Sequence, residues 1–141
     1  MINGIKIGYA TGVFDMFHIG HLNLLRRAKE NCDYLIVGVS TDELVKEYKN
    51  KETIIPFEER MQIVQAIKYV DKVVPQTSMN KMNAYKKFKF TDIFVGDDWK
   101  GTQKWEYIEY EFSKIGVKVN YLPYTKDTSS SILRDVLYKS L

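Results

Sequence analysis

Short apolar runs rich in β-branched residues alternate along this chain with longer segments in which apolar positions recur at helical period. That alternation is the pattern of consecutive βαβ units wound around a parallel sheet. It predicts strands over Ile5–Ala10, Tyr34–Ser40, Lys72–Pro75, Ile93–Val95 and Lys118–Leu122. Helices are expected near Ile19–Asn31, Thr41–Glu47, Pro56–Tyr69, Lys81–Phe88 and Gln103–Ile115, with a last one after Thr128. Ser40, Thr41 and Asp42 precede the second helix as capping candidates, and Pro56 followed by Glu58 and Glu59 suits the start of the third. Gly116 ends the fifth. No repeat, low-complexity stretch or linker divides the sequence, so residues 1–141 read as one α/β domain. A Rossmann-like, five-stranded parallel sheet of order 3-2-1-4-5 flanked by helices accommodates all of it. The Lys- and Glu-rich stretch Val45–Ile55 reads as a mobile loop of the kind that covers a site.

In an open α/β sheet, ligands bind beyond the carboxyl ends of the strands, where the strand order reverses. Three polar segments fall on that edge. Thr11-Gly-Val-Phe-Asp-Met-Phe-His-Ile-Gly-His21 follows strand one, Gly96-Asp-Asp-Trp99 follows strand four, and Thr125-Lys-Asp-Thr-Ser-Ser-Ser131 follows strand five. His18 and His21, three residues apart, share one face of a helix start, where unpaired N–H groups and the positive end of the dipole favour an anion. Gly20 between them carries no Cβ to keep a phosphate away. Neither a Gly-x-Gly-x-x-Gly fingerprint nor a Walker A pattern is present, which argues against a nicotinamide dinucleotide reader.

Each segment also has a structural reading. One histidine can cap the helix while the other sits on the surface, and Asp97 and Asp98 can hold a turn by accepting backbone N–H bonds. Thr128 to Ser131 can be an N-cap cluster. Lys46, Lys49 and Lys51 can be a solvated face, and Arg60 can pair with Glu58 or Glu59. Trp105, Tyr107, Tyr110 and Phe112 fit helix packing better than a platform for stacked bases.

Composition narrows the partners. A formal charge of +3 with scattered lysines points to no nucleic-acid surface and no membrane binding, while small anions are welcome. The single Cys32 forms no intramolecular disulfide and reads as a structural thiol. No basic and apolar leader and no stretch of membrane-spanning length occur in the sequence, so a cytoplasmic setting is expected.

Taken together, the His-Ile-Gly-His turn, Ser-Thr-Asp-Glu-Leu44, Glu59-Arg60, Ile67-Lys-Tyr-Val-Asp-Lys-Val-Val74, Gly-Asp-Asp-Trp99 and Tyr121-Leu-Pro-Tyr-Thr125 through Ser131 resemble the small cytidylyltransferases, nearest to the bacterial glycerol-3-phosphate type. The resemblance runs over nearly the whole chain. It implies an enzyme that moves CMP from CTP to a small phosphomonoester, with Mg²⁺ as cofactor and a homodimer as the assembly. A phosphate oxygen of the acceptor would attack the α-phosphorus in line and pyrophosphate would leave, so the protein has to orient the reactants and compensate charge. By the same resemblance His18 and His21 serve the α- and β-phosphates. Thr11, Gly12, Phe14, Asp15, Gly20, Gly96, Asp98 and Trp99 belong to the nucleotide site, and Thr125, Thr128, Ser129 and Ser130 form a second phosphate element. Lys49 and Lys51 match the paired catalytic loop lysines. Lys46, Arg60 and Lys126 fall to the acceptor, and Asp15 and Asp98 to a metal held mostly through phosphates. The protonation state of the histidines stays open at this point, because a helix N-terminus lowers the pKa and a bound phosphate raises it.

Two departures stand out. Relatives of the glycerol-3-phosphate type read Arg-Thr-Glu-Gly-Ile-Ser-Thr where this chain has Tyr124-Thr-Lys-Asp-Thr-Ser-Ser, so an arginine is missing and Asp127 replaces a glycine. Lys126 restores charge but not a bidentate fork. The segment Gly101–Lys118 is also longer, which leaves the acceptor open among polyol, amino-alcohol and amino-acid-derived phosphates used in surface-polymer synthesis. Adenylyl transfer on the same plan and a non-catalytic nucleotide-binding module are the other readings.

Overall fold

The computed structural model describes residues 4–123 and 130–140, with only the backbone of Ser130. Five parallel strands form the sheet: β1 Ile7–Gly12, β2 Tyr34–Ser40, β3 Lys72–Gln76, β4 Asp92–Gly96 and β5 Lys118–Leu122. Their order is β3-β2-β1-β4-β5, as the sequence predicts. Helices α1 Ile19–Glu30, α2 Asp42–Lys49, α3 Phe57–Gln65, α4 Lys81–Phe88, α5 Gln103–Ser113 and α6 Ser130–Ser140 connect and follow them, with one 3₁₀ turn at Asp97–Trp99. None of the described helices is long and apolar enough to cross a membrane.

Strand alternation splits the core into two layers. Ala10, Leu35, Val37, Val39 and Phe94 face Leu25, Ala28 and Val64 on one side of the sheet. Tyr9, Ile36, Val74 and Ile93 face Phe90, Trp105 and Phe112 on the other. Trp105 and Phe112 are therefore packing residues, while Tyr107 and Tyr110 of the same helix stay exposed. Thr41 caps α2 as expected, its hydroxyl accepting from Leu44 N–H, and Thr102 caps α5, its hydroxyl accepting from Trp105 N–H.

Several boundaries differ from the sequence expectation. β1 begins and ends two residues later, which carries Thr11 and Gly12 into the strand. α3 stops at Gln65 rather than Tyr69. The expected loop Val45–Ile55 is half helix: α2 continues to Lys49, with Leu44 and Val45 buried, and Asn50 ends it in a left-handed conformation at φ 53°. Asp42 and Glu43 in its first turn and Lys46 and Lys49 in its last complement the dipole, which outweighs the polar composition that reads as loop.

The pairing explains where a ligand can enter. β1 stays paired with β2 as far as Gly12↔Val39, but with β4 only as far as Ala10↔Phe94. Beyond Ala10 the two central strands part, and the chain ends leaving them line a crevice. Arg60 ties this edge together from beneath. Fully buried, it donates through Nε to Ile55 O at 2.9 Å and through Nη1 to Val13 O at 2.7 Å and Ser40 O at 2.8 Å. Its Nη2 meets Asp42 Oδ1 at 2.5 Å. This corrects both sequence readings of Arg60: it neither pairs with Glu58 or Glu59 nor lines the crevice for an acceptor phosphate. The reason is position, since the first turn of α3 points its side chain under the sheet edge, where three carbonyls converge.

Replacing Arg60 by Met should strand those carbonyls. At about 1–3 kcal/mol for each buried group left unpaired, partly relieved by water, a loss of about 3 kcal/mol in urea unfolding is expected. An unfolding midpoint equal to that of the parent would mean that the guanidinium contributes nothing net.

Candidate active site

Between β1 and β4 lies a cavity of about 370 Å³. Its walls come from Thr11, Val13, Phe14 and Asp15, from His18, Gly20 and His21 at the start of α1, from Lys49, Lys51 and Thr53, from Gly96, Asp98 and Trp99, and from Ser131 and Arg134 of α6. The chain reaches the histidines through a turn in which Phe14 and Met16 hold positive φ values of 55° and 49°. A non-glycine residue there costs on the order of 1 kcal/mol or more, and burial of Phe14 against Phe17 and His21 holds it.

His18 is the N-cap of α1, and His21 stands three residues on. His18 Nδ1 accepts from Gly20 N–H at 3.0 Å, and His21 Nδ1 accepts from His18 N–H at 3.2 Å. The pair thus forms a reciprocal cap with imidazoles where hydroxyl and carboxylate groups are usual. Capping and cavity lining are one arrangement here, not alternatives. Because each Nδ1 is an acceptor, a neutral ring carries its proton on Nε2, which makes Nε2–H the donor left for a ligand. Burial depresses both pKa values. For His21 it does so together with the nearby His18, down to about 3, so the rings are neutral at pH 7. The ring centroids lie 3.9 Å apart.

The remaining sequence-predicted residues divide clearly. Thr11, Phe14, Gly20, Asp98 and Trp99 line the cavity, as do Lys49 and Lys51. Trp99 is 45% exposed. Gly96 lines the cavity too, and a Cβ there would stand 2.6 Å from Asp98 Oδ1, so that carboxylate would have to shift. Lys46, on the exposed side of α2, does not line it. Neither does Gly12, whose missing Cβ makes room for the Phe14 ring at 3.0 Å. Asp15 lines the cavity but its carboxylate is engaged: Oδ2 accepts from Ile54 N–H and Oδ1 from Ile55 N–H, both at 2.8 Å, and Arg134 Nη2 lies 2.9 Å from Oδ2. Those bonds occupy the carboxylate that was expected to orient a metal, while the residue itself stands on the cavity wall. Tyr124, Thr125, Lys126, Asp127, Thr128 and Ser129 lie outside the described residues, as does the side chain of Ser130.

Two cations were not legible as site residues. Lys81, the first residue of α4, is buried and donates to Thr11 Oγ1 at 2.9 Å and Gln76 Oε1 at 2.7 Å. Both partners are neutral, and burial pushes its pKa down to about 7, with Lys104 adding to the shift. It also lines a second cavity of about 700 Å³ between α4 and α5, beside Met79, Tyr107 and Ile108. Arg134 enters from α6. In sequence Lys81 looks like one more surface lysine behind a capping Asn80. Among the described residues no group of three or more His, Cys, Asp or Glu is disposed to hold a metal.

A nucleotide-sized crevice with neutral imidazole donors and the three cationic side chains Lys49, Lys51 and Arg134 suits a polyphosphate. The profile of the family described as cytidylyltransferase-like matches residues 9–136. This chain belongs to that family. Glycerol-3-phosphate cytidylyltransferase of Staphylococcus aureus is 39% identical over 129 residues, covering 90% of this chain and 91% of the relative. FAD synthase of Pyrococcus abyssi is 43% identical over a shorter stretch of 88 residues, 62% of this chain and 60% of the relative. Among solved structures, a lipopolysaccharide core biosynthesis protein of Thermoplasma volcanium superposes with a TM-score of 0.72 at 26% identity, over 89% of this chain and 100% of that one. As a family member the chain places the His-x-Gly-His turn, Lys49 and Lys51 around one crevice.

The depressed His21 pKa fixes the sign of a stability change. The unfolded ring titrates at 6.5 and the folded one at about 3, so on acidification the unfolded chain takes up the proton first. Stability contributed by the neutral ring is complete above pH 6.5 and is lost progressively below it. By pH 5 the expected loss is about 2 kcal/mol, and His21→Asn should flatten the urea midpoint between pH 7 and 5. A midpoint equally pH-dependent in both proteins would contradict the buried neutral ring.

Proposed function

We propose that this protein transfers CMP from CTP to glycerol-3-phosphate, releasing pyrophosphate and forming the CDP-linked product that a surface-polymer pathway would consume. The observation that carries the reading is the reciprocal His18–His21 cap, which leaves two neutral Nε2–H donors at a crevice lined by Lys49, Lys51 and Arg134. The similarity to glycerol-3-phosphate cytidylyltransferase over nine-tenths of the chain supports the choice of substrates.

The chemistry follows from what this site presents. An oxygen of the acceptor phosphate attacks the α-phosphorus opposite the bridge to the β-phosphate. The new P–O bond forms as the bridging P–O bond breaks, and its electron pair leaves with pyrophosphate. The nucleophile is already anionic, so no base is required. Charge grows on the equatorial and bridging oxygens, and His18 and His21 meet it with N–H groups that need no reorientation. Lys49 and Lys51 add positive charge to the same cavity. Lys81, buried with neutral partners behind Thr11, does not line the crevice; its ammonium adds positive potential there through Thr11 rather than by touching the acceptor. A magnesium ion would be held mostly by the phosphates of the nucleotide, with Asp98 the carboxylate on the cavity wall available to it, and would supply further charge neutralisation.

The test is pyrophosphate release with Mg²⁺, each of the four ribonucleoside triphosphates and a panel of phosphomonoesters headed by glycerol-3-phosphate. CTP with glycerol-3-phosphate should be the productive pair. Preference for ATP would replace the nucleotide assignment. His18→Ala and His21→Ala should each lower kcat by about 2.7–4 kcal/mol of transition-state stabilisation while the circular dichroism spectrum is retained. Near-parental rates in both would reject the proposed donors.

A second prediction concerns pH. Lys81 loses its proton near pH 7 in the free protein, so kcat/KM for the acceptor should fall above that value. Lys81→Gln should lower kcat/KM and remove the falling limb. A limb unchanged by the substitution would assign it to another group.

A further inference from the structure

Arg134 does something that neither cap nor phosphate chemistry requires. It sits one turn into α6 with its side chain 19% exposed, and its fork spans two different segments. Nη2 pairs with Asp15 Oδ2 at 2.9 Å, while Nη1 donates to Glu52 O at 3.0 Å. Asp15 in turn holds Ile54 N–H and Ile55 N–H. The backbone from Glu52 to Ile55 is thus fixed at three points by one ion pair between the turn after β1 and the last helix. Immediately before it stand Lys49, the final residue of α2, and Lys51, both on the cavity wall. Burial and the charges of Lys51 and Arg134 lower the Lys49 pKa, which places the three cations within electrostatic reach of one another. Without a tie, mutual repulsion would drive the lysine segment away from Arg134. The Asp15 carboxylate and the Glu52 carbonyl offset that repulsion.

We propose that Arg134 is a positioning residue: by bridging Asp15 and the Glu52 carbonyl it sets where Lys49 and Lys51 stand over the cavity and makes their placement depend on the docking of α6. The bridge needs a guanidinium, because a single ammonium on a shorter reach does not satisfy a carboxylate and a carbonyl in two segments at once. The kinetic part of this inference rests on the cytidylyl-transfer reading, and the structural part does not.

Two measurements test it together. Trypsin cleavage after Lys49 and after Lys51, followed by mass spectrometry in the parent, Arg134→Gln and Arg134→Lys proteins, reads the tie directly. Both variants should be cut at these sites about tenfold faster or more while their melting temperatures stay near that of the parent, as expected for a local opening that becomes easier. Turnover reads the consequence: kcat should fall by up to about a hundredfold, the cost of misplacing charged groups by about 1 Å, with a smaller change in the KM for CTP. In a Lys49→Ala, Lys51→Ala background Arg134→Gln should have little further effect. Unchanged cleavage rates, full rescue of kcat by Arg134→Lys, or additive losses in the triple variant would overturn the proposal. If Arg134→Gln fails to fold, Arg134→Lys carries the same two readouts. A parent protein that releases no pyrophosphate from any nucleotide would reject the cytidylyl-transfer reading instead, with the cleavage rates deciding the tie.

Discussion

The buried guanidinium of Arg60 is the point on which the functional edge of this protein depends. Three chain segments that leave the sheet in different directions end in carbonyls aimed at it: Val13 after β1, Ser40 at the end of β2, and Ile55 before α3. A full charge beneath a sheet costs several kcal/mol in desolvation unless its donors are satisfied. Here four hydrogen bonds satisfy them, and the one carboxylate partner, Asp42, also receives Thr53 Oγ1 and Phe57 N–H. Burial tends to raise the Asp42 pKa, yet those bonds and the Arg60 charge hold it below the usual range, so the pair stays ionised at neutral pH. With the Val13 carbonyl held, the left-handed residues Phe14 and Met16 follow in a defined direction, and the histidine turn begins where α1 needs it.

From that base the site is built by sharing groups between structure and chemistry. The Nδ1 atoms of His18 and His21 finish the helix, and the same bonds select the tautomer in which Nε2–H faces a ligand. Asp15 finishes the Glu52–Ile55 segment, and the same carboxylate carries the charge that keeps Arg134 beside two lysines. Lys81 closes a buried polar chain with Gln76 and Ser40, and its ammonium points at Thr11 in the crevice wall. Cations thereby outnumber carboxylates around the cavity. That balance suits a substrate with several negative charges and a reaction whose difficulty lies in charge compensation rather than proton removal.

Much of this was legible along the chain. Short β-branched apolar runs and helical-period segments placed five strands and six helices, since burial of both faces of a parallel sheet demands continuous apolar strands and one-sided helices. His18, His21, Gly96, Asp98 and Trp99 were legible because their order after β1 and β4 puts them on one edge under the strand-end rule. The Val45–Ile55 stretch misled because its lysines and glutamates look like loop composition, while Leu44 and Val45 supply only two buried positions to mark a helix. Arg60 misled for a related reason. A short motif places an arginine near a site but does not say which side of the helix turns toward the carbonyls.

The succession of strands and helices, the class of sheet and the chemistry of the histidine turn were determined by the amino-acid sequence alone, because they rest on local periodicity and on residues close in the chain. Only the tertiary structure decided which charges act. Asp15 and Arg134 lie 119 positions apart, and Lys81 and Thr11 lie 70 apart. Whether a lysine is solvated, buried beside neutral partners or held over a crevice is set by packing across that distance, which local pattern does not encode.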